Sequence, residues 1–401
     1  MLEIARTIAF IIFIIIILLW IDYKWGQAQY RKKVKKKTYP LRRSNIKIFN
    51  SGPKLFYDLF TEIEHAQKHI HILFYIIKND QFSQKFISLL KQKAEGNVEV
   101  RLLVDWIGAH KLSKQIIREL KQSGVHFSYC FKPRFPFFFY TLQKRNHRKI
   151  TVIDGKIGYM GGLNIAKEYV NQDDKLNPWR DYHIKIKGEA VQDLQSTFLT
   201  DWYMATKEDL RVHPHYFPPL SPGTQKQQLV VTDGWGVEGT FLDLIDQAKE
   251  KIVIGTPYFI PSERLFNKLR QALHKGVALT IIVPKISDHI LVKEASYRYF
   301  RVLEKEGATI LQFHRGFYHA KVMLIDDQIS DIGTSNFDKR SLFLNSEINA
   351  LLFDSISIEQ TKKYVEVDIT ESAPINEKAY KKPNAFHKLK EAIAFVLSPF
   401  L

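Results

Sequence analysis

In 401 residues there is a single cysteine, Cys130. No disulfide can close within the chain and no cysteine-based zinc site can be built. A reducing compartment is the simplest setting. Acidic residues are missing from Lys24 to Arg43, where nine Lys or Arg stand. Charge and proline are both missing from Ile8 to Ile21, IAFIIFIIIILLWI. A small-residue cleavage site is missing too: Asp22-Tyr23-Lys24-Trp25 follows, which excludes a removable leader. Taken from Leu2 to Ile21, the apolar run spans roughly 30 Å as a helix, enough to cross a hydrocarbon core. A run of this kind followed by a basic block predicts an uncleaved membrane anchor over residues 1–23. The positive-inside rule then puts the C-terminal bulk in the cytoplasm.

The formal net charge is +17, which calls for an anionic partner. Nine of those seventeen charges lie beside the anchor. That placement favours an anionic membrane surface over nucleic acid. Arg31, Lys32, Lys33, Lys35, Lys36 and Lys37 are the expected lipid contacts, each worth about 1 kcal/mol near such a surface.

The rest of the chain is a duplication. His147-Arg-Lys149, four residues and Asp154 recur as His319-Ala-Lys321, four residues and Asp326. Six residues separate each Asp from a glycine-led turn, Gly161-Gly-Leu-Asn164 or Gly333-Thr-Ser-Asn336. The histidines and the asparagines are both 172 residues apart. Upstream, Val98–Val104 matches Val277–Val283 in type. Short β-branched runs alternate with helical patterns, which predicts an α/β fold with a mixed sheet in each half. Four prolines between Val212 and Thr224 mark the junction. The expected domains are an anchor (1–23), a basic linker (24–44), a first lobe (45–211), a second linker (212–227) and a second lobe with its tail (228–401). The lobes are expected to face each other with pseudo-two-fold symmetry.

This pattern suits phosphodiester chemistry. In extended chain, residues i and i+2 share a face. His147 therefore projects with Lys149, and His319 with Lys321. Two such units around one phosphorus supply two imidazoles, two ammoniums and two amides. Lysines and Asn164 and Asn336 neutralise the non-bridging oxygens, usually the largest catalytic term. One histidine attacks phosphorus and the other protonates the departing alkoxide. No metal or other cofactor is required, because cationic side chains take its role. Asp154 and Asp326 close the motifs at turns and complete the expected catalytic set.

The doubled motif resembles the His-Lys-Asp signature of the phospholipase D superfamily over about residues 45–401. In detail it is similar to the bacterial cardiolipin synthases. The stretches that carry this likeness are Trp179-Arg-Asp181-Tyr-His183, Thr256-Pro-Tyr-Phe-Ile-Pro261, Gly333–Ser341 with Asn345-Ser-Glu347, and the ending Leu397-Ser-Pro-Phe-Leu401. The resemblance implies a phosphatidyl-histidine intermediate and condensation of two phosphatidylglycerols to cardiolipin and glycerol. It implies His147 as nucleophile and His319 as acid and base. It also implies an acidic residue after each motif that orients the histidine: Asp181 for the first motif, Glu347 for the second. Two departures stand out. Many such enzymes carry two N-terminal spans where this chain has one. The strand that often holds a glutamate has Phe74.

Phe131-Lys-Pro-Arg-Phe-Pro-Phe-Phe-Phe-Tyr140 leads into the first motif. Its aromatics, with Lys132 and Arg134, are expected to form an interfacial lip that admits lipid. Rival functions remain open on sequence: a hydrolase using water, a phosphatidylserine synthase, a nuclease, or a membrane tether that has lost activity.

Overall fold

A computed structural model describes residues 1–32 and 36–401. Lys33 and Lys35 of the basic block lie outside the described residues. Both halves fold as expected into mixed sheets flanked by helices. Each sheet runs through the same order. In the first half this is His126–Cys130, Glu99–Asp105, His69–Phe74, Ile150–Ile153, Ile157–Gly161, His183–Gly188 and Arg42–Phe49. In the second it is Thr309–Phe313, Ala278–Pro284, Lys251–Gly255, Val322–Ile325, Ile329–Gly333, Ser346–Leu352 and Gln225–Asp233. The first three strands of each half are parallel and the rest antiparallel. The repeat seen in the motifs thus extends to whole-lobe topology.

The two sheets do not merely face each other. They join edge to edge, with Gln225–Gln227 antiparallel to Arg42–Ser44. A shared apolar core follows from this join. Ile150, Ile184 and Phe198 of the first half pack in one cluster with Leu324, Ile348 and Val365 of the second. The motif strands Ile150–Ile153 and Val322–Ile325 are buried on both faces, which explains their unbroken apolar sequence. Second-half strand structure begins already at Gln225, inside the expected linker.

The N-terminal helix is longer than the apolar run. It spans Leu2–Arg31, with a hydropathic window of mean hydropathy 2.8 that is 0% buried. Nothing in Asp22–Arg31 breaks a helix strongly, and tertiary contacts hold this end. Tyr23 packs against Phe139, Tyr140 and Phe400. Asp22 Oδ1 accepts a bond of 2.8 Å from the Tyr140 backbone N–H. A Cβ at Gly26 would lie 2.6 Å from Tyr140 Cβ, so glycine lets the helix approach. The anchor therefore docks on the aromatic segment before the first motif. There the expected lip divides: Phe135 is 85% exposed and Phe138 43%, while Phe137 and Phe139 pack into the docking cluster.

Between the lobes sits Arg148, the middle residue of the first motif, 1% exposed. Its Nη1 donates to both Asp201 oxygens at 2.7 Å. Its Nη2 donates to Thr232 O at 2.8 Å and Asp233 Oδ1 at 2.5 Å, and its Nε to Glu347 O at 3.2 Å. One guanidinium therefore ties a first-lobe helix to two second-lobe strands. Arg148→Met strands a buried carboxylate, which costs about 3–5 kcal/mol. Thermal unfolding in detergent is expected to shift down by roughly 5 °C. An unchanged transition would contradict this role.

Candidate active site

Each motif histidine precedes a central strand, and each is held by the opposite lobe. The His147 N–H donates to Ser346 O at 2.9 Å, and the His319 N–H to Arg180 O at 2.7 Å. A short parallel pairing of Trp179–Arg180 with Phe317–Tyr318 supports the second contact. A bridge between Asn146 and Ser346 supports the first. The acid after each of those carbonyl residues then faces the foreign histidine. His147 Nδ1 lies 3.0 Å from Glu347 Oε2. His319 Nδ1 lies 2.7 Å from Asp181 Oδ2.

The two orienting acids are thus those expected, with the pairing exchanged: Asp181 serves the second motif and Glu347 the first. Paired edge contacts reach across the boundary, so an acid late in one half meets the other half's histidine. Hydroxyls fix Glu347: Thr334 Oγ1 donates at 2.5 Å and Ser341 Oγ at 2.9 Å. Asp181 packs against Gly162, where a Cβ would lie 2.0 Å from Oδ1. The glycine-led turn makes room for this carboxylate.

With Nδ1–H donated to a carboxylate, each imidazole turns its Nε2 edge to the space between the lobes. That space is a cleft of about 630 Å³, lined by His147, His319, Asn164, Asn336, Tyr75, Trp179, Tyr258, Arg145 and Arg340 among others. Tyr75 meets the His147 ring at 5.1 Å, and Trp179 meets the His319 ring at 4.9 Å. Asn164 Oδ1 accepts from Ile76 N at 3.1 Å, and its Nδ2 donates to Tyr169 Oη at 3.0 Å. Asn336 Nδ2 donates to Asp338 Oδ2 at 3.0 Å. Each amide nitrogen retains a second hydrogen for a ligand.

The lysines stand behind the histidines rather than at the wall. Lys149 is 0% exposed and Lys321 3%. Lys149 Nζ donates to His147 O at 2.7 Å. Lys321 Nζ contacts His319 O and lies 3.3 Å from Asp181 Oδ2. Burial dominates their ionisation. It pulls Lys149 down to about 7 against the pull of Glu347, and it lowers Lys321 against the pull of Asp181. Burial also lowers His147, opposed by Glu347. His319 falls to about 4 through burial and the neighbouring Lys321 ammonium. Burial raises both Asp181 and Glu347, but Lys321 and His319 together outweigh it for the first, and His147, Lys149 and Thr334 together for the second, so both carboxyls lie below their ordinary range. The cleft thus concentrates positive charge whose ionised form burial disfavours. An anion lodged there relieves this, which is electrostatic preorganisation toward phosphate.

Asp154 and Asp326, expected in the catalytic set, are placed elsewhere. Asp154 accepts backbone N–H bonds from Gln67, Lys68 and His69 at 2.7–3.0 Å. Asp326 accepts from Lys249, Glu250 and Lys251 at 2.7–2.9 Å. Each sits past the far end of its motif strand. Four strand residues after Lys149 carry the chain away from the cleft, so the carboxylate tethers the neighbouring strand's entry. Sequence reading missed Arg148, Tyr75 as a ring against the imidazole, and Arg145 and Arg340 on the cleft wall. Only Arg148 and Arg145 carried a signal, as neighbours of the motif histidine.

The sequence profile described as "Cardiolipin synthase, PLD-like domain" matches residues 59–202 and 241–369. The minor cardiolipin synthase ClsB of Bacillus subtilis is 40% identical over 98% of this chain and 99% of its own. Cardiolipin synthase 2 of Staphylococcus epidermidis is 36% identical over 89% of this chain and 75% of its own. This chain belongs to the cardiolipin synthases of the phospholipase D superfamily. It is an enzyme, a phosphatidyltransferase of phospholipid biosynthesis. The fold is also that of a phosphatidylserine synthase from Haemophilus influenzae, with TM-score 0.71 at 17% identity, covering 90% of this chain and 97% of that one.

The tether assignment separates stability from turnover. Asp154→Ala removes three bonds to a charged acceptor, each worth about 1.5–3 kcal/mol. It is expected to lower the melting temperature while turnover per folded molecule is kept. Full stability with lost turnover would return Asp154 to the catalytic set.

Proposed function

We propose that the chain joins two phosphatidylglycerols into cardiolipin and glycerol at this cleft. One observation carries the reading. Two imidazoles share one cleft, each with Nδ1 held by a buried carboxylate from the other lobe. In the first step His147 Nε2 attacks the phosphorus of one phosphatidylglycerol. The bond from phosphorus to the headgroup glycerol oxygen breaks, and His319 Nε2–H gives its proton to that oxygen. A phosphatidyl-histidine and free glycerol result. In the second step His319 Nε2 takes the proton of a hydroxyl on the second phosphatidylglycerol. The freed oxygen attacks phosphorus, the bond from phosphorus to His147 breaks, and cardiolipin leaves.

Burial and the Lys321 ammonium hold His319 at about 4. A phosphodiester anion beside it raises that value, which couples its protonation to substrate binding. Asn164 and Asn336 donate to the non-bridging oxygens, and Lys149 and Lys321 set the positive field behind them. Arg145 and Arg340 on the wall suit the phosphate of the second lipid. The anchor and its basic block keep the catalytic lobes at the cytoplasmic face, against anionic lipid. Of the rivals, a hydrolase shares every step but the last, where water replaces the second lipid.

The full chain and its His147→Ala variant, given phosphatidylglycerol in mixed micelles without divalent metal, separate these readings by product mass. Cardiolipin and glycerol from the full chain, absent from the variant, are expected. Phosphatidic acid alone would make the enzyme a hydrolase.

A further inference from the structure

The helix Ala385–Leu397 is apolar on the wrong side for a globular protein. It packs on the helix Val292–Lys305 through small and polar groups and the Phe395 ring, which lies 4.1 Å from the Arg298 guanidinium. Ala394 is its one buried residue, and Glu391 pairs with Arg301 at 3.1 Å. Its other large apolar residues point away. Phe386, Leu389, Ile393 and Val396 are 61%, 58%, 44% and 73% exposed. Their spacing of three, four and three places them on one helical face. A stripe of this size left in water is unfavourable and marks a contact surface.

What covers it follows from where the helix leads. Three residues past Leu397, the Phe400 ring meets Tyr23 of the N-terminal helix at 4.9 Å. Tyr23 lies two residues after the last apolar residue of the membrane run, Ile21. The stripe therefore ends beside the point where the anchor leaves the hydrocarbon. The exposed rings of Phe135 and Phe138, stacked at 5.4 Å, belong to the segment docked at the same point. Lys381 and Lys382 precede the helix, and Lys388 and Lys390 lie along it. Basic side chains flanking an apolar face fit the boundary of an anionic leaflet. Val396 and Leu389 fit acyl chains, and the lysines fit lipid phosphates.

We propose that Ala385–Leu397 lies in the membrane surface as a second, non-spanning contact. With the anchor and the aromatic segment it would hold the cleft at the level of lipid headgroups. The inference rests on the reading of Leu2–Ile21 as a membrane span. Two contacts at separate points fix tilt as well as distance, which a single spanning helix on its own does not.

Spin labels test this in the full chain. Cys130 is buried, and a Cys130→Ser background makes each label unique. Labels go at Leu389→Cys, Val396→Cys, Phe135→Cys, Ile12→Cys and, as a water reference, Val212→Cys. The protein is reconstituted in vesicles of phosphatidylcholine with phosphatidylserine. Accessibility to oxygen is compared with accessibility to a water-soluble nickel chelate. The oxygen-to-nickel ratio at Leu389 and Val396 is expected to exceed that at Val212 several-fold, with Ile12 higher still. Ratios at Leu389 and Val396 equal to that at Val212, with Ile12 in lipid, would overturn the proposal alone. Shielding from both reagents with spin–spin broadening would assign the stripe to a second copy and overturn it. A water-like Ile12 would remove the anchor reading, and the proposal with it.

Discussion

Two buried imidazole–carboxylate pairs cross the boundary between the lobes, and the rest of the molecule is arranged around them. His147 with Glu347 and His319 with Asp181 each take one partner from each half. A buried carboxylate is costly unless it is paired and hydrogen-bonded. The shared core, the joined sheet edges and the Arg148 node keep the lobes in the register that pairs both. If the lobes slid apart, both carboxylates and both imidazoles would lose their partners at once. The same contacts that hold the lobes together therefore assemble the site.

This arrangement explains the electrostatic state of the cleft. The lysines are set behind the histidines, where burial lowers their affinity for protons. Lys321 is partly offset by Asp181 at 3.3 Å, while Lys149 Nζ donates to the His147 carbonyl. A phosphodiester supplies the missing counter-charge. The aromatic cluster of Tyr23, Phe139, Tyr140 and Phe400 joins the membrane helix to the wall of this cleft, since Phe400 lies in both. The N-terminal helix and the cleft wall are therefore linked by contact.

Much of this was legible in the sequence. The 172-residue offset of the motifs corresponds to two sheets with the same strand order. The i, i+2 spacing of histidine and lysine put both groups of each motif together. The orienting acids were found, but their pairing was reversed. In a sequence with internal symmetry, an acid that follows a histidine is equally an acid near the symmetry mate. The cross-lobe pairing of Trp179–Arg180 with Phe317–Tyr318 and the Asn146–Ser346 bridge decide between them. For Asp154 and Asp326 the turn position favours a buttressing role over proton transfer, and their carboxylates accept backbone N–H bonds there. Their spacing from the histidine is fixed by strand length, which carries them out of the site. Arg148 is marked in the sequence only as a neighbour of the motif histidine, and its contacts with Asp201, Thr232 and Asp233 depend on how the lobes close. The helix Leu2–Arg31 outruns its apolar stretch because Tyr23 and Gly26 dock on Tyr140, again a tertiary effect.

The crossed pairing is tested most directly by the imidazole N–H resonances of the two histidines. In ¹⁵N-histidine-labelled protein, a proton on Nδ1 bonded to a carboxylate resonates far downfield. Asp181→Asn should shift the His319 signal and leave that of His147 in place, and Glu347→Gln should do the reverse. If Asp181→Asn moved the His147 signal instead, each lobe would orient its own histidine, and the composite site described above would be wrong.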